Sequence, residues 1–236
     1  MAYFIFNNID SRDMGVVVKK LPSHTKPMEK LEKISIPGRD GYLTVSENAY
    51  EYSSFSIECG LKKDADLYKV ANWLRGSGNL VCSDDLNRYY EARIDSAIPF
   101  DIVFKYWRNF LINFEAQPFM KSVTAKTVTL TPLHLSETET VAGTYKALPT
   151  ITLTGTGTFV LTIGSNTFTL TGVDTEIVID SELMECYEDD GETNANSKLT
   201  LVDDFPILEV GENTISIAVT SGTLTSCVIS YNDRWF

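Results

Sequence analysis

Residues 54–61 read SFSIECGL. Phe55, Ile57, Cys59 and Leu61 alternate with Ser54, Ser56, Glu58 and Gly60, the period of two that a strand shows when one of its faces is buried. The stretches 3–7, 15–21, 28–36, 89–98 and 101–115 are written in the same style, rich in β-branched and aromatic residues. Gly, Asn, Asp and Pro separate them at short intervals, and helical periodicity is nearly absent. This is the text of an all-β protein.

One helix interrupts it. Leu67, Val70, Ala71 and Leu74 fall at i, i+3, i+4 and i+7, Asp64 stands where an N-cap belongs, and Gly76 follows as a stop. The stripe predicts a short helix lying on a sheet. The Gly76-Ser77-Gly78 that follows lacks the Lys-Ser/Thr of a phosphate loop and comes after a helix rather than before one, so it is expected to be a turn.

Between 120 and 147, MKSVTAKTVTLTPLHLSETETVAGTYKA is rich in Thr and poor in large apolar residues, which places a domain connection there. A second set of strands begins at Leu148. Phe159, Leu161 and Ile163 alternate, then Phe168 and Leu170, then Ile215, Ile217 and Val219. That spacing predicts a sandwich of two antiparallel sheets. The division expected is 1–130 for the first domain and 131–236 for the second.

The 236 residues carry 20 basic and 32 acidic side chains, a net charge of -12. Such a balance opposes approach to a phosphate backbone, so no specific nucleic-acid binding is expected. An acidic surface suits a partner assembly, or a channel wall past which a polyanion slides without sticking. No run approaches the ~18 apolar residues of a membrane helix, so no membrane partner is expected. The opening MAYFIFNNID has neither the basic n-region nor the apolar core of a secretory signal, which predicts synthesis in a cytoplasm.

Reactive chemistry finds little support. Cys59, Cys82, Cys186 and Cys227 are far apart, form no CxxC pair and read as buried thiols. His24 lies in a Pro-flanked loop and His134 in the expected connection, neither in a nucleophile motif. The run EDDGE at 188–192 gathers four carboxylates without the alternating ligand pattern of a calcium loop and reads as a solvated hairpin tip. No catalytic residue, cofactor or metal is therefore assigned. Tyr187, Tyr231 and Trp235 are the candidate sugar contacts, should the second domain be a carbohydrate-binding module for host cell-wall saccharide, the alternative reading of function.

Residues 34–43, ISIPGRDGYL, set two turns side by side. Pro37-Gly38 suits the centre of a type II turn and Asp40-Gly41 a second tight turn with a positive φ. Together they hold Arg39 and Asp40 at a rigid tip, which read by itself is a plain hairpin connection kept soluble by its charges.

The order of these features resembles the distal tail protein (Dit) family of siphophages over nearly the whole chain. The stretches that carry the likeness are FIFNNIDSRDMGVVV (4–18), ISIPGRDGYL, the strand ending at Leu61, VANWLRGSGNL (70–80), RYYEARID (88–95) and NFEAQPF (113–119). In the second half they are TYKALPTITLTGTGTFVLTI (144–163), EIVIDSELMECY (176–187), DFPILEVGENTISI (204–217) and YNDRWF (231–236). The resemblance implies an N-terminal ring-forming β-sandwich and a C-terminal galectin-like or jelly-roll β-sandwich. It implies a non-enzymatic virion protein, a baseplate hub at the tail tip that forms a homo-hexamer ring, single or as two stacked rings. Implied partners are the tail tube protein, the tail-associated protein and, in some phages, a receptor-binding protein used in host adsorption. In such a ring the tip residues Pro37, Gly38, Arg39, Asp40 and Gly41 become the candidate intersubunit contact.

Overall fold

The computed structural model describes residues 2–104, 107–188, 191–201 and 204–236. Residues 105 and 106 of the stretch read as a strand over 101–115, and Asp189 and Asp190 of the acidic run, lie outside the described residues. The chain forms two compact units, residues 1–123 with Phe236, and Thr124–Trp235.

The first unit contains β1 (Phe4–Phe6), β2 (Ile9–Asp10), β3 (Val16–Lys20), β4 (Glu29–Ser35), β5 (Tyr42–Tyr50) and β6 (Ser53–Leu61). After these come α1 (Leu67–Trp73), β7 (Gly76–Cys82), β8 (Asp85–Ile94), β9 (Asp101–Phe104), β10 (Trp107–Ala116) and β11 (Met120–Ser122). Its main sheet runs β2-β1-β7-β8-β10-β6-β3 and is antiparallel at each pairing. On one edge β10 pairs β6 along its length, and on the other it changes neighbour, from β9 at Trp107–Asn109 to β8 at Glu115 and Ala116. A strand that changes partners lets a sheet fold over on itself, which is how one sheet makes both layers of a sandwich.

Phe4, Phe6, Ile57, Leu80, Ile112 and Phe114 fill the core between the layers. In β6 the expected alternation holds, with Ile57, Cys59 and Leu61 buried and Phe55 half-buried against the core. The helix α1 closes one side. Trp73 stacks on Phe4 with ring centroids 5.4 Å apart, and its indole N–H donates to the Phe6 carbonyl at 2.9 Å.

Three details of the helix differ from the sequence reading. Its N-cap is Asp66 and not Asp64: the Asp66 carboxylate accepts the backbone N–H groups of Tyr68 and Lys69. The helix starts two residues later for that reason, and its buried face is Val70, Trp73 and Leu74, while Ala71 is exposed. Leu74 is the C-cap, and Gly76, at φ 73°, opens β7 instead of ending a helix or forming a turn.

The second unit contains β12 (Lys126–Leu130), β13 (Ser136–Val141), β14 (Thr150–Ile163), β15 (Asn166–Val173) and β16 (Glu176–Asp180). Then follow β17 (Glu185–Glu188), a 3-10 turn over Asn196–Lys198, β18 (Leu199–Thr200), β19 (Gly211–Tyr231) and β20 (Arg234–Trp235). Two strands, β14 and β19, run through both layers of this sandwich. Their residues 150–157 and 222–231 pair each other and, at the flanks, β16 and β12. Their other halves pair β15 and β13. The bend between the halves carries two register shifts, between Thr154 and Gly155 and between Thr158 and Phe159.

The core of this unit is the set that alternation predicts: Phe159, Leu161, Ile163, Phe168, Leu170, Ile215 and Ile217 are all buried. Val219 is an exception, 39% exposed, at the register shift where β19 enters the bend. The Thr-rich stretch that reads as a connection carries β12 and β13, whose outward positions are Thr and Ser. All four cysteines are free and buried. Burial pushes Cys59, Cys82 and Cys227 up to about 12 and Cys186 up to about 11.

Candidate functional site

β4 and β5 form a two-stranded ribbon that is a sheet by itself. Their register sets Ile34 opposite Leu43 and Glu32 opposite Val45. Residues that face each other across a pair, and residues two apart along a strand, share one side. One face of the ribbon therefore carries Ile34, Leu43 and Val45 beside Glu32, and the other carries Lys33, Ser35 and Thr44 together with Leu31 and Tyr42. Ile34, Leu43 and Val45 remain 38%, 40% and 42% exposed, so these apolar side chains are uncovered within the chain. An isolated hairpin is marginal at best in water, and this one has hydrophobic cause to seek a cover.

The ribbon ends in the two turns read from the sequence. The Arg39 N–H donates to the Ile36 carbonyl at 3.1 Å with Pro37 and Gly38 between them, and Gly38 has φ 79°. That is a type II turn. Gly41, at φ 80°, returns the chain into β5. Pro37, Gly38, Arg39, Asp40 and Gly41 are all exposed. Among the described residues neither Arg39 nor Asp40 makes an ion pair.

The candidate sugar contacts are not alike. Tyr231 is 2% exposed, its hydroxyl donates to Glu139 at 2.7 Å, and Lys126 lies over its ring at 5.7 Å. Burial, together with Glu139, raises its hydroxyl far above the usual range. A ring held in that way presents no face to a sugar. Tyr187, on β17 opposite Val178, and Trp235, on β20, are both half-buried.

The two histidines sit against carboxylates. His24 places Nε2 2.8 Å from Asp84 Oδ2 and Nδ1 3.2 Å from the Tyr90 hydroxyl. His134 pairs Glu137 three residues on, and that contact lowers the Glu137 carboxyl below its usual value. Glu188, at the start of the acidic run, is paired with Lys198 at 2.8 Å. Among the described residues no group of three or more His, Cys, Asp or Glu is placed to hold a metal ion, and no helix is long and apolar enough to cross a membrane.

The outer surface of the first unit also carries a trough of about 550 Å³ over β7, β8 and β10. Glu91, Arg93 and Glu115 line it, with Tyr52, Ser77 and Asn79 around them. Nothing in the sequence singles these residues out, because β8 and β10 bring them together from positions more than 20 residues apart. Glu115 is the direct cross-strand partner of Arg93.

Residues 142–235 match the family model described as siphovirus-type tail component, C-terminal domain. The fold is similar to that of the crystal structure of the SPP1 Dit (gp 19.1) protein, described as a paradigm of the hub adsorption apparatus in phages infecting Gram-positive bacteria. The TM-score is 0.72 at 14% identity, over 100% of this chain and 100% of that one. No curated protein matches the sequence. The family resemblance is borne out by the family model over residues 142–235, and the all-β fold expected from the sequence by the likeness over the whole chain.

Proposed function

We propose that this chain is a structural subunit of a siphovirus-type tail, a distal hub that closes into a six-membered ring and joins the tail tube to the tail-associated or receptor-binding apparatus. It acts by self-association and not by catalysis. It is made in the host cytoplasm and resides at the tail tip of the virion. The family match of the second unit and the whole-chain likeness to a tail hub support the structural role.

One observation carries the association: the ribbon β4–β5 leaves Ile34, Leu43 and Val45 on one face, and Leu31 and Tyr42 on the other, uncovered by its own chain, and ends in a rigid tip with two unpaired opposite charges. In this reading the patch finds its cover on a different surface of a neighbour. Such head-to-tail contacts close a ring when the rotation per subunit allows it. The tip residues Pro37–Gly41 are the intersubunit contact in this reading.

Light scattering over a concentration series, with negative-stain images of the largest species, tests it. A mass of six chains and a six-fold annulus are expected. A chain that stays monomeric at millimolar concentration and also fails to bind tail-tube ends overturns the reading.

A further inference from the structure

The trough over β7, β8 and β10 is a second feature with charges to satisfy. Glu91 is already neutralised by Lys121 at 2.7 Å. Arg93 reaches only Asp95, at 4.0 Å, and is 63% exposed. Glu115 makes no ion pair among the described residues. The trough floor thus presents one free carboxylate directly across a strand pair from one weakly held guanidinium.

The ribbon tip presents the opposite pattern: a guanidinium and a carboxylate on successive residues, fixed by two turns. Successive Cα atoms lie about 3.8 Å apart, and cross-strand partners about 4.5–5.5 Å apart, so an Arg-Asp dipeptide can face a Glu/Arg cross-strand pair without stretching. Tyr52, Ser77 and Asn79 supply hydroxyl and amide groups for the backbone of an entering turn. The volume falls within the ~300–1,000 Å³ of sites that enclose compact ligands.

We infer that the trough of one copy receives the β4–β5 tip of the next, with Arg39 on Glu115 and Asp40 on Arg93. The inference rests on the ring reading and names the acceptor that reading lacks. Tip and trough are different patches of one chain, so the contact is heterologous, the kind that builds rings and not two-fold dimers.

Charge reversal on the full chain tests it. Arg39→Glu and Glu115→Arg change exposed side chains and leave the circular dichroism spectrum and Tm of the monomer in place. Each single reversal sets like charges together and weakens association at least about tenfold, by light scattering at fixed concentration. The double variant, with the charges exchanged, recovers most of the assembly. As an independent readout, Arg39→Cys with Glu115→Cys gives disulfide-linked ladders on oxidation, since the four native thiols are buried.

If the parent assembles and Arg39→Glu assembles equally well, the trough assignment is wrong while the ring stands. If both singles fail and the double fails too, with no ladder from the cysteine pair, the trough belongs to another partner and the assignment is again wrong. If the parent itself does not assemble, the ring reading falls and takes the assignment with it.

Discussion

Gly157 and Gly222 face each other across β14 and β19, with backbones so close that neither position has room for a side chain. A Cβ on Gly222 would lie 1.8 Å from the Thr156 carbonyl oxygen, and one on Gly157 2.1 Å from that of Ser221. Both residues also have positive φ, 87° and 116°. They form the corner at which the two longest strands pass from one layer of the sandwich to the other.

Gly157→Ala and Gly222→Ala should each cost roughly 3 kcal/mol, since strain and collision act together. Gly164→Ala is the control. It has φ 59° and nothing within 4 Å of its would-be Cβ, so its cost should be about 1 kcal/mol. Urea titrations of the three variants check the order.

The face of the β4–β5 ribbon that carries Ile34, Leu43 and Val45 should matter to assembly and not to the fold. Ile34→Ser with Leu43→Ser is expected to change monomer stability by no more than about 0.5 kcal/mol, because both residues are already partly exposed. Sedimentation velocity should show the large species lost. Retention of full assembly would mean that this face is not covered by a neighbour.

Asp233, nearly buried, accepts the Ala142 N–H at 3.0 Å and meets Lys126 Nζ at 3.0 Å. Lys126→Met removes the cation and leaves the carboxylate in place. With Lys126 about a third exposed, solvent screening limits the loss to about 1–3 kcal/mol. Asp233→Asn in the same chain should return part of it, because a neutral amide no longer needs the cation. A double-mutant cycle by thermal unfolding measures the coupling.

The four thiols make stability fall at alkaline pH. Each is raised from an ordinary value near 9.0 to about 11 or 12, so the native state holds protons that the unfolded chain releases. Their contribution is complete below about pH 9 and is lost as pH rises toward 12, with a limit of about 1.4 kcal/mol per unit for each thiol. The urea midpoint should drop from pH 8 to pH 10.5, and less steeply in Cys227→Ala. At pH 8 a thiol reagent should label the native chain slowly and the unfolded chain at four sites.

Much of the fold was legible because burial in a strand has a period of two. Phe55 to Leu61 and Phe159 to Ile163 announce their inward faces with no help from other parts of the chain. The helix was legible too, but its start was displaced by one Asp, since Asp64 and Asp66 are equal on paper and only the backbone shows which carboxylate meets the free N–H groups. The strands β12 and β13 were hidden because their outward residues are Thr and Ser, and their partner β19 lies 70 to 105 residues further on.

Local chemistry along the chain, then, determined an all-β protein, a short helix, buried thiols and the type II turn beneath Arg39. Each depends on residues within a few positions of one another. The glycine corner, the burial of Tyr231, the trough between Glu115 and Arg93 and the uncovered side of the ribbon depend on residues far apart in sequence. Only tertiary pairing decided those, because whether an apolar residue is covered is a property of what the fold places above it and not of the residue itself.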